Sequence, residues 1–203
     1  TSGSSNSAMG TWALKSNTTA NCNAAFGINA LTSNTTGVSN SAVGSGTLFC
    51  NTTGSNNTAV GYQALYNNTY GSLNSAMGQS SLLSNTTGCY NSAMGYAALF
   101  NNTTGSNNIG IGYSAGCSLT TGVNNTIIGQ LPGGAACVCT LLIGAGTCER
   151  IRVDNTGLYV NGTLAGGGAS ITNDTTSAGP YYPGMSAATS GSWSTAYTSS
   201  TKS

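Results

Sequence analysis

The chain has 203 residues, of which only 3% are charged, with a formal net charge of +1 and no histidine. An ordinary globular domain carries about 25% charge. Nothing in this balance steers the chain to nucleic acid or an anionic membrane, and no apolar run is long enough to span a bilayer. The length allows one large domain or two small ones.

In chain order, the first feature is a register. Asn6, Asn23, Asn40, Asn57, Asn74, Asn91, Asn108 and Asn125 recur at a constant 17-residue step. Gly10, Gly27, Gly44, Gly61, Gly78, Gly95, Gly112 and Gly129 keep the same step. Low charge with few large apolar residues would suggest disorder, but coil of low complexity has no reason to hold a register. A fixed period of about 20 residues indicates a stacked, quasi-one-dimensional fold. Thr1 to Ser5 fit the last five columns of a repeat and no initiator Met precedes them, so the expectation is a piece or processed product of a longer chain.

With the Asn as column one, column three is small: Ala8, Ala25, Ala42, Ala59, Ala76, Ala93, then Gly110 and Ile127. Column four is apolar: Met9, Phe26, Val43, Val60, Met77, Met94, Ile111 and Ile128. Column nine is Leu14, Leu31, Leu48, Leu65, Leu82 and Leu99. Columns twelve to fifteen read Asn-Thr-Thr-Gly, as at Asn34 to Gly37 and Asn85 to Gly88. Gly and Asn both tolerate positive φ and are read here as turn punctuation. Two short extended runs per repeat, each closed by such a turn, describe one coil of a β-solenoid. Helices are excluded, because 30 Gly residues would each cost a helix about 1 kcal/mol relative to Ala, and no 3.6-residue stripe survives.

The expected fold is therefore all-β: a β-solenoid (β-roll) of eight coils over residues 1–132. Leu131-Pro132-Gly133-Gly134 breaks the pattern. Residues 133–165 hold three expected short strands, Leu141 to Ile143, Glu149 to Val153 and Gly157 to Val160. This charged, non-repeating unit is expected to cap the stack and block end-to-end growth. Residues 166–203 are a Gly linker followed by a C-terminal β segment or docking arm with Tyr181, Tyr182, Trp193 and Tyr197.

The coil resembles the Asn-Ser-x-Ala-x-Gly repeats of trimeric autotransporter adhesin heads, which form β-rolls packed as trimers. It is more similar still to tail-fibre and structural proteins of tailed bacteriophages, particularly marine ones. The similarity is carried by Gly54-Ser55-Asn56-Asn57-Thr58-Ala59-Val60-Gly61-Tyr62-Gln63-Ala64-Leu65 and by the strand Cys148-Glu149-Arg150-Ile151-Arg152-Val153-Asp154-Asn155-Thr156-Gly157. The segment from Ile171 to Lys202 also resembles phage-fibre sequence. The 17-residue coil is longer than the adhesin coil, so adhesin register does not transfer residue by residue. The resemblance implies a trimeric fibre.

A partner chain follows from the columns as well. Columns three and four face opposite ways in a strand, and both are apolar. Small Ala suits a thin interior, while the large residues of column four need a second surface to cover them. The alternative is a wide single-chain solenoid with an irregular core.

Motifs for chemistry are scarce. Seven cysteines are an odd number, which in an extracellular protein hints at a free thiol or an interchain bond. Cys22 and Cys89 are four coils apart, as are Cys50 and Cys117; at ~4.8 Å per coil this is about 19 Å, beyond disulfide reach. Cys137, Cys139 and Cys148 are near enough in sequence for one hairpin disulfide; a zinc site there would lack His and paired Cys spacing. The acid–base candidates are Glu149, Asp154 and Asp174. Glu149 and Asp154 would face opposite sides of a strand and not flank a substrate, and a salt bridge from Glu149 to Arg150 or Arg152 is the simpler role. No catalytic residue, cofactor or metal is expected. Asn17, Asn34, Asn51, Asn85 and Asn102 are formal glycosylation acceptors. Acceptors ~4.8 Å apart are too crowded for glycans, so an Asn and Thr ladder is the better reading. Ice binding is a distant reading, since adjacent Thr residues point opposite ways.

The functional expectation is a structural fibre segment: a homotrimeric phage-like tail-fibre shaft or adhesin head, extracellular or on a virion. Its partner would be itself, with a cell-surface carbohydrate or receptor as a further partner, and neither nucleic acid nor membrane insertion. The alternative is a self-assembling filament subunit joined head to tail through its C-terminal arm.

Overall fold

The computed structural model describes residues 3–145, 148–160 and 163–164, the backbone alone at 148, 149, 163 and 164. The linker and arm expected over 166–203 lie outside the described residues. Those described contain no helix, and their twelve strands form one sheet in sequence order. Strands β1 (Ser7–Met9), β2 (Ala24–Phe26), β3 (Ser41–Val43), β4 (Thr58–Val60), β5 (Ser75–Met77), β6 (Ser92–Met94), β7 (Ile109–Ile111) and β8 (Thr126–Ile128) are columns two to four of successive repeats. Each pairs with the next in parallel, as in Ala42↔Ala59 and Ala59↔Ala76. The chain is a β-solenoid of eight turns with a 17-residue step, as expected.

Each coil holds one strand of three residues, not two extended runs. The rest of the coil is a sequence of turns with three left-handed non-Gly positions: columns seven (Gln63, φ 56), nine (Leu65, φ 53) and seventeen (Asn56, φ 58). The column-nine leucines thus carry the interior from a backbone region that costs an L-residue about 1–2 kcal/mol. They are tolerated there because Leu31, Leu48, Leu65, Leu82 and Leu99 are fully buried, and full burial of a leucine is worth about 1.5–3 kcal/mol. With Ala25, Ala42, Ala59 and Ala76 they form the core.

The repeating Asn residues are not turn residues. Columns one and twelve point inward as two buried ladders. In column one, Asn23 Oδ1 accepts from the Asn40 amide at 2.9 Å, and Asn40 Nδ2 donates to the Gly54 carbonyl at 2.9 Å. In column twelve, Asn51 Nδ2 donates to Asn34 Oδ1 at 2.8 Å and to the Gly54 carbonyl at 2.9 Å. The thin interior holds amides because, within a ladder, each is satisfied by the coil above or below. Column thirteen adds a third ladder, with Thr52 Oγ1 donating to the Thr69 carbonyl at 3.0 Å. The glycine of column fifteen is required by proximity: a Cβ on Gly54 would lie 2.3 Å from the Gly71 carbonyl oxygen.

The interior changes at the seventh coil. Column nine becomes Gly116, column twelve becomes Leu119, and column three becomes Gly110 and then Ile127. Leu119 and Ile127 are fully buried, so the leucine has moved across the core. The Asn ladder therefore stops at Asn102, whose buried Oδ1 has no hydrogen-bond partner among the described residues.

The sheet continues through residue 132 into a shortened coil. Thr126 pairs with Leu141 of β9 (Leu141–Ala145). The step here is 15 residues, as from Asn125 to Thr140, whose amide donates to Asn125 Oδ1 at 3.0 Å. Strands β10 (Cys148–Asp154), β11 (Gly157–Val160) and β12 (Thr163–Leu164) then run antiparallel. The three expected short strands lie within β9, β10 and β11. At the β10–β11 turn, Asp154 Oδ1 accepts from the Thr156 amide at 2.8 Å. Bonds from Thr156, and secondarily the Arg152 charge, hold this carboxyl below the usual carboxylate range. Arg152 pairs with Asp154 and stands 3.7 Å over the Tyr159 ring.

Candidate functional site

The two faces of each strand are unequal. Ala76 in column three is 1% exposed and Met77 in column four is 50% exposed. Column four therefore points outward along the whole solenoid, with Met9, Phe26, Val43, Met94, Ile111 and Ile128 also exposed and Val60 half-buried. Column nine is interior, so the two apolar columns have separate roles: leucines make the core and column four makes a surface. Leu14, in the first coil, is half-buried.

Two further columns carry large apolar side chains. Column six presents Ile28, Tyr62, Tyr96 and Tyr113, all exposed, with Tyr96 and Tyr113 stacked at 5.2 Å between centroids. Column ten presents Phe49, Tyr66, Leu83 and Phe100, half-buried, with Phe49 and Tyr66 stacked at 5.0 Å. Neither column figured in the reading from sequence, although both recur at the same 17-residue step. The signal was diluted by Thr11, Ser45, Gln79 and Thr32 in the same columns.

The remaining wall is mainly polar, with Val38, Tyr70, Leu73 and Tyr90 as exposed exceptions. Column fourteen exposes Thr19, Thr36, Thr53, Thr87, Thr104 and Thr121. Its neighbour, column thirteen, spends its hydroxyls on the next coil, so one Thr column faces outward. Asn34, Asn51, Asn85 and Asn102 are fully buried and cannot carry glycans in the folded chain.

Among the described residues no group of three or more His, Cys, Asp or Glu side chains is placed to hold a metal. Cys137 and Cys139 both carry free thiols, as do Cys22, Cys50, Cys89 and Cys117. Burial pushes the Cys50 thiol up. The third candidate for the expected disulfide, Cys148, has its side chain outside the described residues, as has Glu149. Where the solenoid meets the meander, Leu131, Pro132, Cys137, Leu142, Arg152 and Asp154 help line a recess of about 290 Å³. Its two charged residues pair with each other. The apolar column that points outward in every coil is thus column four.

No family model, curated protein or solved structure matches the chain.

Proposed function

We propose that the chain is a structural, non-catalytic fibre segment: a homotrimeric shaft or head of a phage-like tail fibre, placed outside the cell or on a virion. The observation that carries the reading is column four, which is apolar and outward in every coil from Met9 to Ile128. Eight coils at ~4.8 Å give this column ~38 Å of length.

A homotrimer closed by rotation would cover the exposed Met and aliphatic side chains of column four in each chain with a neighbouring copy. The chemistry fits association through burial of apolar area, because no charge lies between Lys15 and Glu149 to set a register.

Met77→Asp tests this. The side chain is exposed in one chain, so the coil tolerates the charge, but a trimer would bury an unpaired carboxylate in every protomer, at several kcal/mol each. Thr104→Asp adds the same charge to the polar wall. By light scattering, the unaltered chain and Thr104→Asp should have three times the protomer mass, and Met77→Asp the mass of one protomer. A trimeric Met77→Asp would remove the interface, and a mass that grows steadily with concentration would favour the head-to-tail filament.

A further inference from the structure

Column seventeen is left-handed and exposed along the stack. The shortened last coil continues it: the Cys139 amide (φ 54) donates to the Val123 carbonyl at 3.1 Å, as the Cys22 amide (φ 59) does to the Ser4 carbonyl at 3.1 Å. Taken inward from these two cysteines, the column pairs Cys22 with Cys139, Ser39 with Asn124, Asn56 with Asn107, and Leu73 with Tyr90. Its two halves mirror each other in kind. A free, exposed thiol stands at each end, short polar side chains follow, and a large apolar one flanks the centre on either side.

The central pair is costly in one chain alone. Leu73 has φ 60 and Tyr90 has φ 59, and their side chains are 46% and 59% exposed. Large side chains are rare in this backbone region, and such outliers persist where function retains them. The core leucines share the strain but recover it by burial. Leu73 and Tyr90 would recover it only under a second surface. No charged residue lies between Lys15 and Glu149, so nothing in the column repels another copy of itself.

We propose that column seventeen joins two copies of the chain side by side and antiparallel, locked by two disulfides from Cys22 of each copy to Cys139 of the other. This goes beyond the fibre reading and does not use column four. A two-fold axis normal to the rod, midway between Leu73 and Tyr90, sets Leu73 against the partner's Tyr90 and each cysteine against its opposite number, and the contact is reciprocal. A parallel pair would set every residue against itself and needs no mirrored order. Within one chain the two thiols are seven steps of ~4.8 Å apart, about 34 Å, so they cannot bond each other. A column one residue wide falls short of the ~800 Å² that each partner gives a stable interface, so the link is covalent and the central pair sets its register. The oxidant is glutathione disulfide. The Cys22 thiolate attacks one of its sulfurs and releases glutathione; the partner's Cys139 thiolate then attacks the Cys22 sulfur and releases the second glutathione. Two protein thiols are oxidised and one glutathione disulfide is reduced per bond.

The full chain, held with glutathione disulfide and run on non-reducing denaturing gels, tests the pairing. It should give a band of two protomers in which peptide mapping joins Cys22 to Cys139. Cys22→Ser alone and Cys139→Ser alone should each lose that band. An equal mixture of the two variants should regain it, because each supplies the thiol the other lacks. Ser39 already occupies this column, so both variants keep the coil. Leu73→Asn/Tyr90→Asn, with Asn already in the column at Asn56 and Asn107, should slow the link at least tenfold. The pairing is overturned by no two-protomer band, by a band from either single variant, by none from the mixture, or by an unchanged rate in the double variant. A map joining Cys139 to Cys137 or Cys148 overturns it as well. Denaturing gels read only the covalent link, so the outcome is independent of whether column four assembles a trimer.

Discussion

Asparagine serves two opposed purposes in this chain. Asn57, Asn68, Asn85 and Asn102 are buried members of ladders, while Asn56, Asn107 and Asn124 stand outside in the left-handed region. Residue type alone does not separate them, and turn propensity by itself assigns the repeating Asn to turns. The consequence is energetic. A turn Asn replaced by Ala loses one local hydrogen bond, about 1 kcal/mol. Asn85 donates to Asn68 Oδ1 at 2.8 Å and to the Gly88 carbonyl at 3.0 Å, and accepts from Asn102 Nδ2 at 2.9 Å. Asn85→Ala leaves Asn68 Oδ1 buried without a partner, so it should cost about 3 kcal/mol, while the exposed Thr87→Ala should cost under ~0.5 kcal/mol. Urea denaturation of both variants checks the difference.

At the scale of the coil, the sequence was legible where backbone and side chain repeat together. The 17-residue step, the inward Ala, the outward column four and the terminal meander were all readable, because each rests on periodicity or strand alternation. The second extended run was not, since columns six to eleven pair apolar residues with a left-handed backbone that only stacking makes tolerable. Nor was the shift of leucine from column nine to Leu119, which depends on volumes across the core. The close stacking of coils has its own test. A Cβ at Gly54 would meet backbone at 2.3 Å, whereas one at Gly46 (φ 68) would meet the Gln63 and Tyr66 side chains at 3.4 Å. Gly54→Ala should therefore cost about 3 kcal/mol or prevent folding, and Gly46→Ala only about 1 kcal/mol of backbone strain. Thermal melts of the two variants should rank them in that order.

At the scale of the whole molecule, the rod buries amides beside its leucines and alanines and leaves a column of large apolar side chains outside. Amide ladders specify the register. Among the described residues the charges are confined to the ends, Lys15 at one and Glu149 to Asp154 at the other.

The bonds between coils run along the axis of the rod, as from the Ser75 amide to the Asn91 carbonyl at 2.8 Å and onward from the Ser92 amide to the Asn108 carbonyl at 2.8 Å. A tensile load applied at the two ends therefore acts on the coils in series, like the links of a chain, and the weakest yields first. Each yielding coil releases one 17-residue repeat, about 58 Å of extended chain in place of ~4.8 Å of rise. A single chain held near its two ends in an optical trap should lengthen in repeated steps of about 50 Å, with each rupture leaving the remaining coils intact. Under tension such a rod would behave as a shock absorber, stiff until a threshold and then yielding by fixed increments.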